Sequence, residues 1–417
     1  MTTLTVVIPA YNEEDGIAEI AGRVLAAGSG LLKAGVEELE LLIVDDGSTD
    51  ATAAIAAEIQ GVRLIRHAHN KGYGAALKTG FAEAKGELIG FLDADGTYPP
   101  EFFPALCTCA LDGHDLVIGS RMAGADSQMP LTRRAGNLFF ATLLSLLARV
   151  RVSDSASGMR VFKREILEQI YPLPDGLNLT PVMSTRALHE GIRVTEVPIP
   201  YSERLGRSKL SVVHDGSLFL RSIVWTALTY NPVRVLGMVG LALLGMALVA
   251  GLGLVTARLQ GQTTLAPWQV ASLFAGALAG VTGISIFSLG VTFNYLVSLF
   301  YKRPIRQGLF GRPLFRTPLD RHFWWMGGGM LLMGLVVGSG SVALGLSGWA
   351  IERLWLYLMG SALFAIVGVQ LTISWIVLRV LDELSQRDRL IAKDMSGEIT
   401  IASTTGAHAH AKPVYSQ

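Results

Sequence analysis

The chain opens in short apolar and β-branched runs separated by stretches with helical spacing. Leu4 to Pro9, Leu39 to Asp45, Val62 to Arg66, Glu87 to Asp93 and Asp115 to Gly119 have the length and composition of strands. Between them, Asp15 to Ala27, Asp50 to Gln60, Ala75 to Lys85 and Pro100 to Leu111 have helical spacing. This alternation predicts an α/β domain with a mostly parallel sheet and a ligand site at the carboxyl ends of its strands. Beyond Pro232 the pattern changes. Val235 to Ala257, Trp268 to Tyr301, Trp324 to Ile351 and Leu354 to Leu378 contain no charged residue. Each exceeds the roughly 20 apolar residues that cross a hydrocarbon core as a helix, whereas buried helices of soluble proteins seldom run uncharged past about 14. The expected organisation is therefore an α/β domain over residues 1–231, four transmembrane helices over 232–380 and a tail over 381–417. The tail is expected to be largely disordered, because Ser396 to Gln417 is small, polar and aperiodic.

Two further stretches, near 132–150 and 210–230, are apolar but too interrupted to cross. In the first, Arg133 and Arg134 precede Leu138, Phe139, Phe140, Leu143, Leu144, Leu146 and Leu147, and Arg149 and Arg151 follow. The second carries Leu218, Phe219, Leu220, Ile223, Val224 and Trp225 around His214, Asp215 and Arg221. Such helices lie in the headgroup plane with arginines reaching lipid phosphate, the alternative being an ordinary core-facing helix. Phe139, Phe140 and Leu143 are the expected lipid-facing side chains.

Composition sharpens the division. Of the 69 Lys, Arg, Asp and Glu residues, only 12 fall within Pro232 to Val380; the remainder of the chain is about 21% charged, close to an ordinary soluble domain. A net charge of +1 argues against nucleic acid as a partner. Cys107 and Cys109 form no disulfide framework and suit a reducing compartment. The start MTTLTVVIPAYNEE lacks the features of a secretory signal, and the first domain is expected in the cytoplasm. Lys302, Arg303, Arg306, Arg312, Arg316 and Arg321 face one acid, Asp320, in the loop after the second span, while the loop after the first holds only Arg258. The basic loop belongs inside, which returns both termini to the cytoplasm. No ionisable residue lies within a span, against a proton-coupled transporter or channel. Gly276, Gly280, Gly283 and Gly290, and again Gly334 and Gly338, give small-xxx-small faces that suit close helix contact and permit pairing of copies.

Chemistry-bearing residues gather at the predicted strand ends. The first strand ends in Pro9-Ala10-Tyr11-Asn12-Glu13-Glu14, the second in Asp45-Asp46-Gly47-Ser48-Thr49-Asp50, and the fourth in Asp93-Ala94-Asp95-Gly96-Thr97-Tyr98-Pro99-Pro100. Adjacent carboxylates repel and gain from a cation; an Asp-x-Asp turn offers hard oxygens to Mg2+ or Mn2+. His69-Asn70-Lys71-Gly72-Tyr73-Gly74 opens the third helix, where glycines, a helix N-terminus and Lys71 favour an anionic group. Together the clusters point to a nucleotide.

In this order, the PAYNE start, the DDGS-x-D turn, the NKG-x-G-x-A segment and the DAD turn resemble the family-2 inverting glycosyltransferases of the GT-A fold. Gly119-Ser120-Arg121, Asp154-Ser155-Ala156-Ser157-Gly158-Met159-Arg160, Pro198-Ile199-Pro200-Tyr201 and Glu203-Arg204-Leu205-Gly206-Arg207-Ser208-Lys209-Leu210 narrow the resemblance to polyprenyl-phosphate hexose synthases, the dolichyl-phosphate mannose synthase group. It covers about Thr3 to Pro232, and the four spans fit the group's membrane-anchored members. The resemblance implies transfer of one hexose, mannose or glucose, from a GDP- or UDP-sugar to a polyprenyl phosphate, with Mg2+ or Mn2+. Pro9, Ala10, Tyr11 and Glu13 would line the nucleoside pocket, with Asp46 on the base and Lys71 near it. Asp93 and Asp95 would hold ribose and metal, Asp95 being the stronger ligand. Arg121, Arg204 and Lys209 would hold phosphates. Many relatives have Gln where this chain has Thr97, whose shorter hydroxyl leaves that ligand place to water. Asp154 would orient Arg121 or Arg160, act as a base, or serve as a structural turn residue.

A lipid monophosphate is its own nucleophile, so a general base is unnecessary in principle. The nearest rival, a processive polysaccharide synthase, normally bears a Gln-x-x-Arg-Trp helix, and no such run occurs here. A flippase or scaffold with a degenerate nucleotide domain would have lost Asp46, Asp93 or Asp95, and all three stand.

Overall fold

The computed structural model describes residues 2–122, 129–148, 150–202, 212–301 and 319–395. The chain divides into two compact units, residues 1–238 and 239–417. Among its described residues unit 1 has seven strands: β1 (Thr3–Ala10), β2 (Glu38–Asp45), β3 (Val62–Arg66), β4 (Leu88–Phe91), β5 (Leu116–Ser120), β6 (Arg160–Lys163) and β7 (Val194–Pro198). They lie in the order β3-β2-β1-β4-β6-β5-β7. All pairings are parallel except those of β6, which runs antiparallel to both β4 and β5. The five expected strands are present within a residue or two; β6 and β7 are additional.

Helices cover both faces. α1 (Ile17–Ala26), α2 (Gly28–Lys33), α3 (Thr52–Glu58), α4 (Tyr73–Glu83) and α5 (Phe103–Leu111) follow the first strands; α6 (Leu131–Ala148), α7 (Leu167–Ile170), α8 (Leu179–Glu190) and α9 (Val212–Tyr230) come later. The two-residue strand period sorts the core. Leu4, Val6 and Ile8 point into one layer with Ile17, Ile20 and Leu106, and Val7 points into the other with Leu77, Phe81 and Phe162. α4 lies close on the sheet because residue 80 is glycine: a Cβ there would stand 2.2 Å from Val7 Cγ1. Connections from β1 run to β2 and β3 on one side, while β4 lies on the other. This reversal leaves the crevice between the ends of β1 and β4 as the natural ligand position.

The expected interfacial stretches are α6 and α9, and they face two ways. Asn137, Ala141, Leu144 and Leu147 bury one stripe of α6, with Leu147 packed on Ile223 and Ala227 of α9. Leu131, Leu138, Phe139 and Leu146 remain exposed, as do Val213 and Trp225 of α9. Phe140 and Leu143 depart from the lipid-facing expectation: Phe140 stacks edge-on against Phe219, and both join the cluster around Ile223.

Among the described residues, four helices are long and apolar enough to cross a bilayer, which makes this a membrane protein. They are α10 (Pro232–Leu259), α11 (Pro267–Tyr301), α12 (Phe323–Leu346) and α13 (Ile351–Met395). α13 corrects the tail expected from residue 381, because its helix continues to Met395 without Pro or Gly to stop it before Ser396-Gly397. Residues 396–417 and most of the basic loop, 302–318, lie outside the described residues. Within unit 2, α12 and α13 approach through glycines: a Cβ at Gly334 would stand 2.8 Å from the Ser361 carbonyl.

Candidate active site

Four loops meet at the carboxyl ends of β1, β2, β4 and β5. The β1 loop turns at Asn12, whose φ of 52° is a left-handed conformation unusual for a side-chain-bearing residue. It is held by its neighbour: the Ser48 hydroxyl accepts the Asn12 N–H at 2.9 Å, and Asn12 Oδ1 accepts the Thr49 N–H at 2.8 Å. The Glu13 N–H donates to Thr52 Oγ1 at 2.8 Å. Pro9 and Ala10 are buried at the strand end, and Tyr11 and Glu13 are half-buried beyond it.

Asp46, the residue expected at the base, is engaged by the protein's own donors. Only 2% exposed, its carboxylate accepts the backbone N–H groups of Lys71 and Gly72 at 2.9 and 2.8 Å, and lies 2.6 Å from His67 Nδ1. Three donors converge on a buried side chain, so Asp46 shapes the loop before α4. The other nitrogen of His67 is 2.9 Å from Thr79 Oγ1 of α4, which fixes the ring. Gly72 has a φ of 102°, and a Cβ there would stand 2.6 Å from the Asp175 carbonyl. Lys71 is exposed at this loop.

Asp93 and Asp95 follow β4. The Tyr73 hydroxyl donates to Asp93 Oδ1 at 2.7 Å; burial and the Asp93 charge push that phenol well above its ordinary pKa, so it remains a donor. Gly158 lies against the same carboxylate, where a Cβ would come within 2.3 Å of Oδ2. Asp95 Oδ1 accepts the Thr97 hydroxyl at 2.6 Å and its N–H at 3.2 Å. Thr97 is 1% exposed, so it orients Asp95 and is not itself presented as a ligand. No group of three acidic, His or Cys side chains suited to a metal occurs among the described residues. Two hard carboxylates fit a cation such as Mg2+, which keeps waters and shares ligands with substrate phosphates.

Arg121, at the end of β5, is clamped by Asp154. Asp154 Oδ2 accepts Arg121 Nε–H at 2.7 Å and the backbone N–H at 3.0 Å, while Oδ1 accepts Nη2–H at 2.7 Å. Burial opposes both charges, but each outweighs that penalty for the other: Arg121 is held well above its ordinary pKa and Asp154 below the usual carboxylate range. The guanidinium also lies 5.8 Å from the Tyr98 ring centroid and 5.5 Å from that of Tyr201. Tyr98 Oη accepts the Gly158 N–H at 2.7 Å, and Glu196 accepts the Ser153 and Asp154 N–H groups at 2.8 and 3.0 Å. Beneath them Arg160 is fully buried, its Nε and Nη2 given to the carbonyls of Ser157 and Ser155, and burial pulls it down to about 10.

The expected site residues Pro9, Ala10, Tyr11, Glu13, Asp46, Lys71, Asp93, Asp95, Arg121 and Asp154 thus stand at strand ends and in loops of one rim. Arg204 and Lys209 lie outside the described residues. Tyr73, Tyr98, Tyr201, His67 and Glu196 complete the constellation. Tyr73, Tyr98 and Tyr201 stand inside the sequence motifs, whereas nothing in the sequence couples His67 to Asp46 or Glu196 to Ser153.

Comparison with known proteins locates this arrangement. Residues 5–171 match the family model described as glycosyl transferase family 2, and residues 232–392 match a family described as a domain of unknown function. The chain is similar to a dolichyl-phosphate hexose transferase of Haloferax volcanii, 35% identical over 53% of this chain and 92% of that one. It is also similar to an undecaprenyl-phosphate 4-deoxy-4-formamido-L-arabinose transferase of Klebsiella pneumoniae, 30% identical over 76% of this chain and 94% of the relative. Among solved structures, glucosyl-3-phosphoglycerate synthase from Mycobacterium tuberculosis, in complex with Mn2+, UDP and phosphoglyceric acid, is 24% identical over 55% of this chain and 78% of its own, with a TM-score of 0.43.

Proposed function

The chain belongs to glycosyl transferase family 2, and from that membership we propose that it moves a single sugar, a hexose, from a nucleotide diphosphate donor to a polyprenyl phosphate, with inversion at the sugar carbon. The observation that carries this reading is the clamped Arg121, a fixed cation at the same rim as Asp93 and Asp95, in a chain that also carries four bilayer-length helices. The names of the H. volcanii and K. pneumoniae relatives support a polyprenyl-phosphate acceptor.

The nucleotide lies across the ends of β1 and β2, against Pro9, Ala10, Tyr11 and Glu13, with Lys71 near the base and Asp93 at the ribose. Asp46 acts on this pocket indirectly, by holding the Lys71-Gly72 backbone. Asp93 and Asp95 would hold Mg2+ or Mn2+, which would supply neutralising charge to the departing diphosphate. Arg121 presents its remaining N–H groups to phosphate; Asp154 is committed to Arg121 and is a positioning residue, not a base. No base is needed, because the acceptor phosphate, with a second pKa near 6, is largely dianionic at neutral pH. Its oxygen attacks the sugar carbon as the bond to the diphosphate breaks, and the rim aligns the two reactants and stabilises the leaving charge. Arg204 and Lys209 supply further phosphate contacts. The catalytic domain and both termini face the cytoplasm, with α6 and α9 in the headgroup plane so that the phosphate reaches the rim while its chain stays in the bilayer.

The test is direct. Purified full-length protein, Mg2+ or Mn2+, a short polyprenyl phosphate and a panel of labelled GDP- and UDP-hexoses, with a UDP-linked aminoarabinose derivative included, should give one lipid-linked sugar with one donor. Asp95→Ala should abolish it. A polymeric product would replace this reading with a processive synthase, and no transfer from any donor would replace it with a scaffold.

A further inference from the structure

Unit 1 contains a groove of about 400 Å3 between α8, α9 and the turn at 172–174 that no step of the proposed transfer uses. Leu173, Pro174, Leu218 and Trp225 give it largely apolar walls, and Arg186 and Arg221 stand at it. Among the described residues neither arginine has a carboxylate partner. Arg186 donates one Nη1–H to the Ile170 carbonyl at 3.2 Å, while its Nε is buried without any hydrogen-bond partner. Arg221 is exposed.

An apolar trough with two uncompensated guanidiniums is complementary to a ligand carrying a phosphate at one end and hydrocarbon at the other. Its place in the chain says which source of phosphate. Trp225 is 60% exposed, two helical turns before Pro232, and one residue, Asn231, separates α9 from the first bilayer-length helix. An indole there prefers the interface between headgroups and acyl chains. A free phosphate would gain nothing from the apolar walls. We propose that this groove is a binding site for an anionic glycerophospholipid of the host bilayer, its phosphate on Arg186 and Arg221 and its glycerol and upper acyl carbons along Leu173, Leu218 and Trp225.

The inference deepens the headgroup-plane position proposed for α9 and rests on that reading. The turn that floors the groove also meets the donor side, since the Asp175 carbonyl accepts the Ala75 N–H at 3.1 Å and Lys78 donates to the Leu173 carbonyl at 3.1 Å. A lipid held here therefore touches the same turn that α4 leans on.

The experiment uses full-length protein in a neutral detergent and counts retained phosphatidylglycerol by native mass spectrometry, with phosphatidylcholine as control. Wild-type protein should keep one more phosphatidylglycerol than Arg186→Gln/Arg221→Gln, and that site should weaken by about tenfold or more. Arg221→Gln alone, at an exposed position, covers the case in which the double variant does not fold, and should weaken the same site. Equal phosphatidylglycerol retention by all three proteins would overturn the proposal. So would loss of phosphatidylcholine in parallel, which would mark a merely apolar trough, or displacement of the bound lipid by polyprenyl phosphate, which would mark an acceptor subsite. A protein that binds phosphatidylglycerol here but transfers no sugar would keep this site and retire the transferase reading; a transferase with no such site would do the reverse.

Discussion

Replacing Asp154 by Asn isolates what the clamp on Arg121 contributes. The side chain is fully buried and accepts from Arg121 Nε, Nη2 and backbone N–H. Asn keeps the shape but offers one acceptor oxygen, and its NH2 group must face a donor at 2.7 Å. Arg121 then stays buried with its charge unmatched, which costs about 3–5 kcal/mol when one partner of a buried pair is removed. At about 2–4 °C per kcal/mol for a domain of this size, the melting temperature should fall by about 6–20 °C. The catalytic effect is separable. A guanidinium no longer held in register weakens a charge-assisted phosphate contact worth about 1.5–3 kcal/mol, a loss of about 10- to 150-fold in kcat/KM for the acceptor. Arg121→Lys, which retains charge but loses the bidentate geometry, should reproduce the kinetic loss. The assay is single-sugar transfer at varied acceptor, paired with a thermal melt of the same preparation. An Asp154→Asn protein with wild-type melting temperature and acceptor KM, and with kcat alone collapsed, would refute this reasoning and make Asp154 the base.

Three further outcomes follow from the same geometry. His67→Phe removes the 2.6 Å contact to Asp46 and loosens the Lys71-Gly72 backbone, so KM for the nucleotide sugar should rise by about 5- to 10-fold with little change in kcat; an unchanged donor KM would show that the loop holds without the ring. Thr97→Val removes the hydroxyl that holds Asp95 Oδ1 and should weaken metal activation by about 10- to 100-fold in Mg2+ titrations, while Thr97→Ser restores it; equal metal dependence in both would discard the orienting role. The pH profile of kcat/KM should carry an acid limb near 6, set by the acceptor phosphate, because protonation there removes the dianion. Asp154, held below the usual carboxylate range, adds stability that is present above its unfolded pKa and is lost only as pH falls through its lower folded value, so no Asp154 limb should appear near neutrality.

What the sequence made legible divides along the distance over which a signal acts. β1 and β2 carry the unbroken apolar runs Val6-Val7-Ile8-Pro9-Ala10 and Leu41-Leu42-Ile43-Val44 because a parallel sheet buries both faces, and the motifs at their ends are contiguous, so both could be placed from neighbouring residues. β6 is only Arg160-Val161-Phe162-Lys163, two apolar residues between two cations, and its identity as a strand depends on β4 and β5 flanking it from 69 to 75 and 42 to 46 positions away. α8 hides for the opposite reason: it is buried nearly all round, with Thr180, Ser184 and Thr185 inside, so no polar face marks its period. The site divides the same way. Asp93 and Asp95 announce themselves locally, but Asp46 and Asp154 are equally conspicuous acids whose meaning lies in donors 21 to 33 residues distant. A carboxylate at a strand end therefore states only that a charge must be compensated there. Whether ligand, metal or the protein's own backbone compensates it is decided by which distant N–H groups the fold delivers. In this chain the fold gives Asp46 and Asp154 to the protein's own donors, while Asp93 accepts from Tyr73 and Asp95 from Thr97, the two carboxylates to which the proposed transfer assigns ribose and metal.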